Sequence, residues 1–262
     1  MRDVALQFGP LTIHWYGVLV VTGFILGLWT ASRRGLRDNF APEKIMDLGP
    51  WLLGGAIVGS RLLYVISYWQ DDFARQPIWE IFMIQKGGLV FYGGLIGASL
   101  CLIVYVRLKK MPLWKLADVL APSVALAHVF GRLGCLMHGC CFGYPTAVAW
   151  AIHFPKDHAT HGVGVHPTQI YESLLNLALY AALAWGYRRK KFDGQIFAIY
   201  LLAYACLRSF VELFRGDYLP ASRMLDQHLT PAQFVSVFLL IGGAVLYWRR
   251  SRAAAPKPPC AK

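Results

Sequence analysis

Val124-Ala-Leu-Ala-His128-Val-Phe-Gly-Arg132-Leu-Gly-Cys135-Leu-Met-His138-Gly-Cys140-Cys141-Phe-Gly-Tyr144-Pro-Thr146 opens as an apolar helix and closes as a glycine-punctuated turn. Arg132, a full charge, sits among Val129, Phe130, Leu133, Leu136 and Met137. A charge in such surroundings costs roughly 2.5–3.5 kcal/mol at a bilayer centre, so it faces a partner or a wet cavity. Gly131, Gly134, Gly139 and Gly143 allow other backbone or a ligand to come close. The plainer alternative is a helix C-terminus with small residues for packing. Arg132 weighs against it.

Working outward, 56% of the 262 residues are hydrophobic and only 15% are charged, which is not the make-up of a soluble domain. The apolar residues fall in long blocks that recur along the whole chain. The first is therefore expected to be a membrane span rather than a cleaved signal peptide, and it lacks an Ala-x-Ala-type site. The net charge of +12 invites a nucleic-acid reading. Its placement excludes one, because no basic stripe interleaves with aromatics and the charges lie in short loops between apolar blocks.

Seven spans are expected at about 14–32, 48–68, 89–107, 117–137, 169–187, 194–214 and 231–248, each near the ~20 residues that cross the hydrocarbon core. The fourth and sixth carry charge and are the weakest by hydropathy. Seventeen Lys and Arg fall on one side, in loops 33–47, 107–116 and 188–193 and in the tail, against six on the other, with Arg61, Arg132 and Arg208 inside spans. The positive-inside rule then places the N-terminus outside and the C-terminus in the cytoplasm. The expectation is an all-α integral membrane domain over 1–252, with an outer connection at about 138–168. A basic, Pro-rich disordered tail is expected over 253–262. All eight histidines map to the outer side, five of them in that connection, which is longer than a mere connector requires. Histidines also suit membrane interfaces, so their placement alone does not make a site.

The charges within spans carry the chemistry. Arg208 and Glu212 are four apart on one helix face and can pair or jointly face a cavity, and Arg215 shares roughly that face. A guanidinium fork matches phosphate oxygens in a bidentate way that an ammonium cannot. Arginines converging from several helices therefore point to a phosphate-bearing ligand inside the membrane, and a phospholipid is the obvious one. The competing reading has Glu212, Glu172 and backbone carbonyls neutralising the arginines to hold the bundle together. Transport is a further reading, since intramembrane charges also mark ion paths. No pair of broken spans suggests the inverted repeats of a transporter.

Two segments add polar chemistry at the outer face. Lys86-Gly-Gly-Leu-Val-Phe-Tyr92-Gly-Gly-Leu-Ile-Gly97 could offer backbone N–H groups to an anion, although its glycines also suit close helix packing. His166-Pro-Thr-Gln-Ile-Tyr-Glu172 opens the fifth span, with Pro167 near the first turn and Glu172 facing inward.

With these residues in view, the chain resembles the bacterial prolipoprotein diacylglyceryl transferases from about Ile13 to Trp248. The likeness rests on His14-Trp-Tyr16-Gly, Gly93-Gly94-Leu-Ile-Gly97, Gly131-Arg132-Leu-Gly134 with Gly139, His166-Pro-Thr-Gln-Ile-Tyr-Glu172, Tyr204-Ala-Cys-Leu-Arg208 and Val211-Glu212-Leu-Phe-Arg215. The resemblance implies an enzyme of the bacterial inner membrane with its site toward the outer leaflet. It would move the diacylglyceryl group of phosphatidylglycerol onto the lipobox cysteine of a preprolipoprotein signal peptide, releasing glycerol phosphate. By that likeness Arg132 and Arg208 bind the phosphate and stabilise its departing charge. Glu212 and Arg215 support them, Arg61 is an accessory cation, and Gly93, Gly94, His14, Tyr16, His166, Glu172 and Tyr204 line the donor site. The chain departs from the family pattern at Tyr92, where many members carry His. It departs again at Cys135 and Cys140, where many carry Asn and Glu, and at Tyr144, where many carry Arg. A paralogue acting on another acceptor is the alternative that these departures keep open. Tyr92 is expected to orient the donor, with His138 and His166 as the other candidates for a base.

Of six cysteines, Cys101, Cys206 and Cys260 are scattered and read as packing or tail residues. Cys135, Cys140 and Cys141 cluster with His138. An oxidising face would allow Cys135 to pair with Cys140 or Cys141. A metal site of Cys135, His138 and Cys140 lacks a second half at a familiar spacing. No metal and no cofactor is expected, and the cysteines are taken as structural.

Overall fold

The structure is a computed structural model describing residues 4–8, 11–74, 76–84, 87–217 and 230–254. The chain runs β1 (Val4–Phe8), β2 (Leu11–His14), α1 (Trp15–Gly35), α2 (Pro42–Met46), α3 (Leu48–Ser67), α4 (Phe91–Leu108), α5 (Leu113–His138), β3 (Ile152–His153), β4 (Gly164–Val165), α6 (Thr168–Tyr187), α7 (Gln195–Glu212) and α8 (Pro231–Ala254). All helices except α2 are long and coincide with the seven expected spans. Six of them are long and apolar enough to cross a membrane: α1, α3, α4, α5, α7 and α8, with α2 continuing into the α3 segment.

The one long helix outside that set is α6, not the helices of the fourth and sixth spans that charge content had singled out. Thr168, Gln169, Glu172, Ser173 and Asn176 recur at helical spacing and are all buried, while Leu174 and Trp185 are exposed. A polar stripe turned inward lowers the average hydropathy of a helix without giving it a wet outer face. Elsewhere the same inversion holds. Val58 is 67% and Leu62 59% exposed, whereas Arg208 is 8% and Asn176 0%. Apolar side chains outside and charge inside suit a lipid solvent.

Three further departures stand out. An antiparallel hairpin of β1 and β2 precedes α1, so His14 ends a strand rather than opening a span. A second, two-residue pairing joins β3 to β4 within the long connection. Ala253 and Ala254 still belong to α8, while the rest of the expected tail, 255–262, lies outside the described residues, as do Lys86 and His228.

The chain divides into two compact units, residues 32–116 and the remainder. In the first, α3 and α4 pack glycine on glycine. A Cβ at Gly59 would collide with the carbonyl oxygen of Gly93, and one at Gly97 with that of Gly55. This is the close approach that small residues permit between membrane helices. In the other unit Gly23 and Gly27 of α1 meet Phe130, Ala127 and Ser123 of α5, and the hydroxyls of Thr30 and Ser123 bond at 2.9 Å. The fully buried Asp118 of α5 accepts hydrogen bonds from the backbone N–H of Gly194 at 2.8 Å and Phe197 at 2.9 Å, capping the start of α7. Lys190 Nζ lies 3.8 Å from the same carboxylate.

Candidate active site

Glu172, in the second turn of α6, sits between two arginines. Its Oε1 lies 3.0 Å from Nη2 of Arg132 on α5, and its Oε2 accepts from Nη1 of Arg208 on α7 at 3.2 Å. Arg208 Nη2 continues to Glu212 Oε2 at 3.0 Å, one helical turn along α7. Arg215 Nη1 approaches that oxygen at 3.7 Å and turns its other nitrogens to Asp217, with Nε to Oδ1 and Nη2 to Oδ2 both at 2.9 Å. Arginine and carboxylate thus alternate along a chain of six groups, four of them on α5, α6 and α7 and two, Arg215 and Asp217, in the segment that follows α7. Glu172 fixes the separation of Arg132 and Arg208.

Charges this deep are tolerated only when paired and hydrogen-bonded. The pairing here is incomplete, because Glu212 Oε1 is buried and accepts no hydrogen bond among the described residues. Arg132 is the most open of the three arginines, with its side chain 17% exposed against 10% for Arg208 and 9% for Arg215.

The long connection is knitted rather than slack. Gly143 N–H donates to His166 O at 2.9 Å and His166 N–H to Tyr144 O at 3.0 Å. Tyr144 N–H donates to Phe214 O at 2.9 Å, and Gly216 N–H to Phe142 O at 3.2 Å. These bonds tie the turn after α5, the approach to α6 and the exit of α7 around Arg215. Gly143 is required there, since a Cβ would strike Phe214 O and His166. Several histidines have structural duties: His158 Nε2 bonds with Gly139 O at 2.7 Å, and His153 Nδ1 with Gly162 O at 3.0 Å. His166 Nδ1 meets the Tyr171 hydroxyl at 3.2 Å, and that hydroxyl also accepts from Trp150 Nε1 at 2.7 Å.

Of the other expected site residues, Tyr16 packs against Gly134, with its ring 6.3 Å from that of His138. Tyr204 lies against His128, ring centroids 5.1 Å apart. Arg61, Tyr92, Gly93 and Gly94 belong to the α3–α4 unit. Arg61 gives its fork to backbone: Nε to Ile81 O at 2.8 Å, Nη2 to Glu80 O at 2.7 Å, and Nη1 to Gly87 O at 2.8 Å and Gly88 O at 3.3 Å. It anchors the segment before α4. Gly93 and Gly94 are buried in the first turn of α4 against Gly59 and Ser60, so the packing alternative accounts for them. Tyr92 is exposed beside them. Sequence reasoning missed Asp217, whose only signal was an acid two residues beyond Arg215. It also missed Gln169 and Thr168, whose side chains donate to Cys140 O at 2.7 Å and Cys141 O at 2.5 Å.

Cys135, Cys140 and Cys141 are free thiols, in place of the disulfide that was one expectation, and their Sγ atoms lie within 4.8 Å of one another. Hydrogen bonds from Cys135 and Cys140 pull the Cys141 thiol far below its ordinary range, and Arg215 and Arg132 act in the same direction.

A family model described as prolipoprotein diacylglyceryl transferase matches residues 3–249. The chain belongs to the prolipoprotein diacylglyceryl transferase family. Relatives named phosphatidylglycerol--prolipoprotein diacylglyceryl transferase include one from Finegoldia magna, 36% identical over 249 residues that cover 94% of each chain. One from Synechococcus elongatus is 37% identical over 253 residues, 92% of this chain and 85% of its own. Another, from Geobacillus kaustophilus, is 36% identical over 250 residues, 93% of this chain and 90% of its own. The resemblance read from the motifs is thus established over nearly the whole chain. With its long apolar helices, the chain is a multi-pass bacterial membrane protein of a transferase family.

Proposed function

We propose that the protein transfers the diacylglyceryl group of phosphatidylglycerol to the lipobox cysteine thiol of a preprolipoprotein signal peptide. The acceptor sulfur attacks the glyceryl carbon, the carbon–oxygen bond to phosphate breaks, and glycerol phosphate leaves with the bonding electrons. The observation that carries this reading is the Arg132–Glu172–Arg208 arrangement, two guanidinium groups held at a fixed separation by a carboxylate that is 2% exposed. Glu172 takes one terminal nitrogen of each fork and Glu212 the other of Arg208, so Arg132 is the more open of the two to phosphate oxygens, with the remaining N–H groups of Arg208 beside it. Such prepaid positioning stabilises charge as it develops on the leaving group. The same cationic field favours a thiolate in the acceptor, whose unperturbed pKa near 8.5 leaves it mostly protonated at neutral pH.

In this reading Glu212, Arg215 and Asp217 hold Arg208 in place, and Tyr16, His166 and Tyr204 line the donor's surroundings with His14 nearby. The role of Tyr92 in orienting the donor rests on the resemblance. All seven long helices span the inner membrane, α6 included, with the N-terminus outside, the C-terminus cytoplasmic and the site toward the outer leaflet.

Turnover of phosphatidylglycerol vesicles with a lipobox peptide, read as glycerol phosphate release, tests the proposal. Arg132→Lys and Arg208→Lys are each expected to abolish turnover, since an ammonium loses the bidentate fork. Near-native transfer by Arg132→Lys removes the phosphate-clamp role. A reporter after Lys191 is expected in the cytoplasm and one within 154–162 outside; an external reporter after Lys191 overturns the topology.

A further inference from the structure

We propose that Cys135, Cys140 and Cys141 form a three-thiolate site for a zinc-like d10 dication, whose open fourth position takes the acceptor's cysteine as a bound thiolate. The inference rests on the transfer reading above and names the group that activates its nucleophile. It also departs from the expectation of no metal drawn from the sequence; among the described residues the group close enough in space is the three cysteines rather than Cys135, His138 and Cys140.

Three sulfurs within 4.8 Å of one another are near the spacing that such an ion imposes. With metal–sulfur bonds near 2.3 Å, tetrahedral coordination sets sulfurs about 3.8 Å apart, so side-chain rotation alone can close the gap. The backbone that presents them is built for the purpose. Cys140 N–H donates to Cys135 O at 3.1 Å, closing the turn after α5. Thr168 and Gln169, each 1% exposed, hold the carbonyls of Cys141 and Cys140 from the first turn of α6. Cys141 is one of few non-glycine residues at positive φ, 63°, a conformation that surrounding structure must enforce and that is enriched at functional positions. Oxygen ligands are not involved, so the donor set selects a soft or borderline ion over magnesium or calcium.

Three protein ligands with one vacancy is the pattern of a catalytic rather than a structural zinc site. A thiol that coordinates such an ion is deprotonated outright. The acceptor thiol would lose its proton to water on binding, attack the glyceryl carbon as the metal-bound thiolate, and leave as a thioether, a far weaker ligand. Glycerol phosphate then carries away the charge. Arg132 lies on α5 one turn before Cys135, which puts the phosphate clamp and the vacant position side by side. A histidine base at the place of Tyr92 becomes unnecessary. The chemistry accounts for a site that lacks one.

The test uses the full chain in detergent, reduced, stripped with a chelator and reconstituted with Co(II) as the probe. The expected result is one Co(II) per chain with thiolate-to-cobalt charge-transfer absorption. That absorption should be lost in Cys135→Ser, Cys140→Ser and Cys141→Ser and kept in Cys101→Ser and Cys206→Ser. Adding a lipobox peptide should shift the d–d bands, and a peptide with Ser in place of its Cys should not. No charge-transfer absorption in the wild-type chain, or a disulfide among the three cysteines in freshly purified protein, overturns the inference. Transfer that continues unchanged in the chelated chain overturns it too, and leaves the proposed function standing. A peptide-dependent shift in a chain that never releases glycerol phosphate keeps the metal site and sinks the transfer reading instead.

Discussion

The α3–α4 pair and the α5–α6–α7 group solve the same problem, holding helices together where lipid removes the hydrophobic incentive, by opposite means. The pair uses absence of side chain: Gly55 and Gly59 against Gly93 and Gly97, backbone touching backbone. The group uses the most polar side chains available, alternating Arg132, Glu172, Arg208 and Glu212. Glycine packing is compact but chemically silent. The ionic chain is costly to bury and chemically capable. That division fits the proposed phosphate clamp, because an ionic chain is costlier than glycine packing as a means of holding helices together alone.

The sharpest way to break the contrast is Glu172→Gln, which leaves Arg132 and Arg208 without the anion between them. Removing one partner of a buried ion pair costs about 3–5 kcal/mol. Thermal unfolding in detergent should show that loss, and turnover should vanish. A stable, active Glu172→Gln protein would reduce the ionic chain to decoration. Next in size is Gly59→Leu, where backbone collision replaces contact; overpacking of this kind costs about 1–3 kcal/mol. If Gly59→Leu unfolds at the wild-type temperature, the glycine face is not what joins α3 to α4. Asp118→Asn keeps one acceptor for the start of α7 but sets its NH2 against the other backbone N–H, so one of the two hydrogen bonds is lost and a buried donor is left unpaired, a loss of about 1–3 kcal/mol. Smallest is Leu174→Ala on the outward face of α6, expected within about 0.5 kcal/mol of wild type. A large effect there would mean that this face is covered by protein.

Much of this was legible in the sequence because charge within an apolar run is conspicuous. Arg132, Arg208 and Glu212 announce themselves, and spacing of four already pairs the last two. The helices followed from apolar length. What escaped was whatever depends on a partner distant in sequence. Nothing near Asp118 says that it caps a helix starting 77 residues later, at Gln195. Gly93-Gly94-Leu-Ile-Gly97 reads equally as an anion cradle or as a packing face until Gly55 and Gly59 are set against it. Arg61 looks like its fellow arginines in the string of letters, yet four carbonyls occupy its fork. The weakness of α6 by hydropathy was misjudged for a related reason: uncharged Gln169, Ser173 and Asn176 lower it as effectively as the charges that drew attention elsewhere.

That inward stripe on α6 has a consequence for biogenesis. A segment carrying Gln169, Glu172, Ser173 and Asn176 is a poor substrate for partitioning from the translocon into lipid by itself. Among the described residues its carboxylate finds its counter-ions in α5, already synthesised, and in α7, still to come. Lateral release of α6 is therefore expected to wait for Arg132 or Arg208. An insertion assay with glycosylation tags should find the isolated segment inserting poorly, and inserting well when α5 precedes it. Replacing Arg132 with Leu in that pair should reverse the gain. On this account the residues proposed to meet the substrate first serve as one another's chaperones.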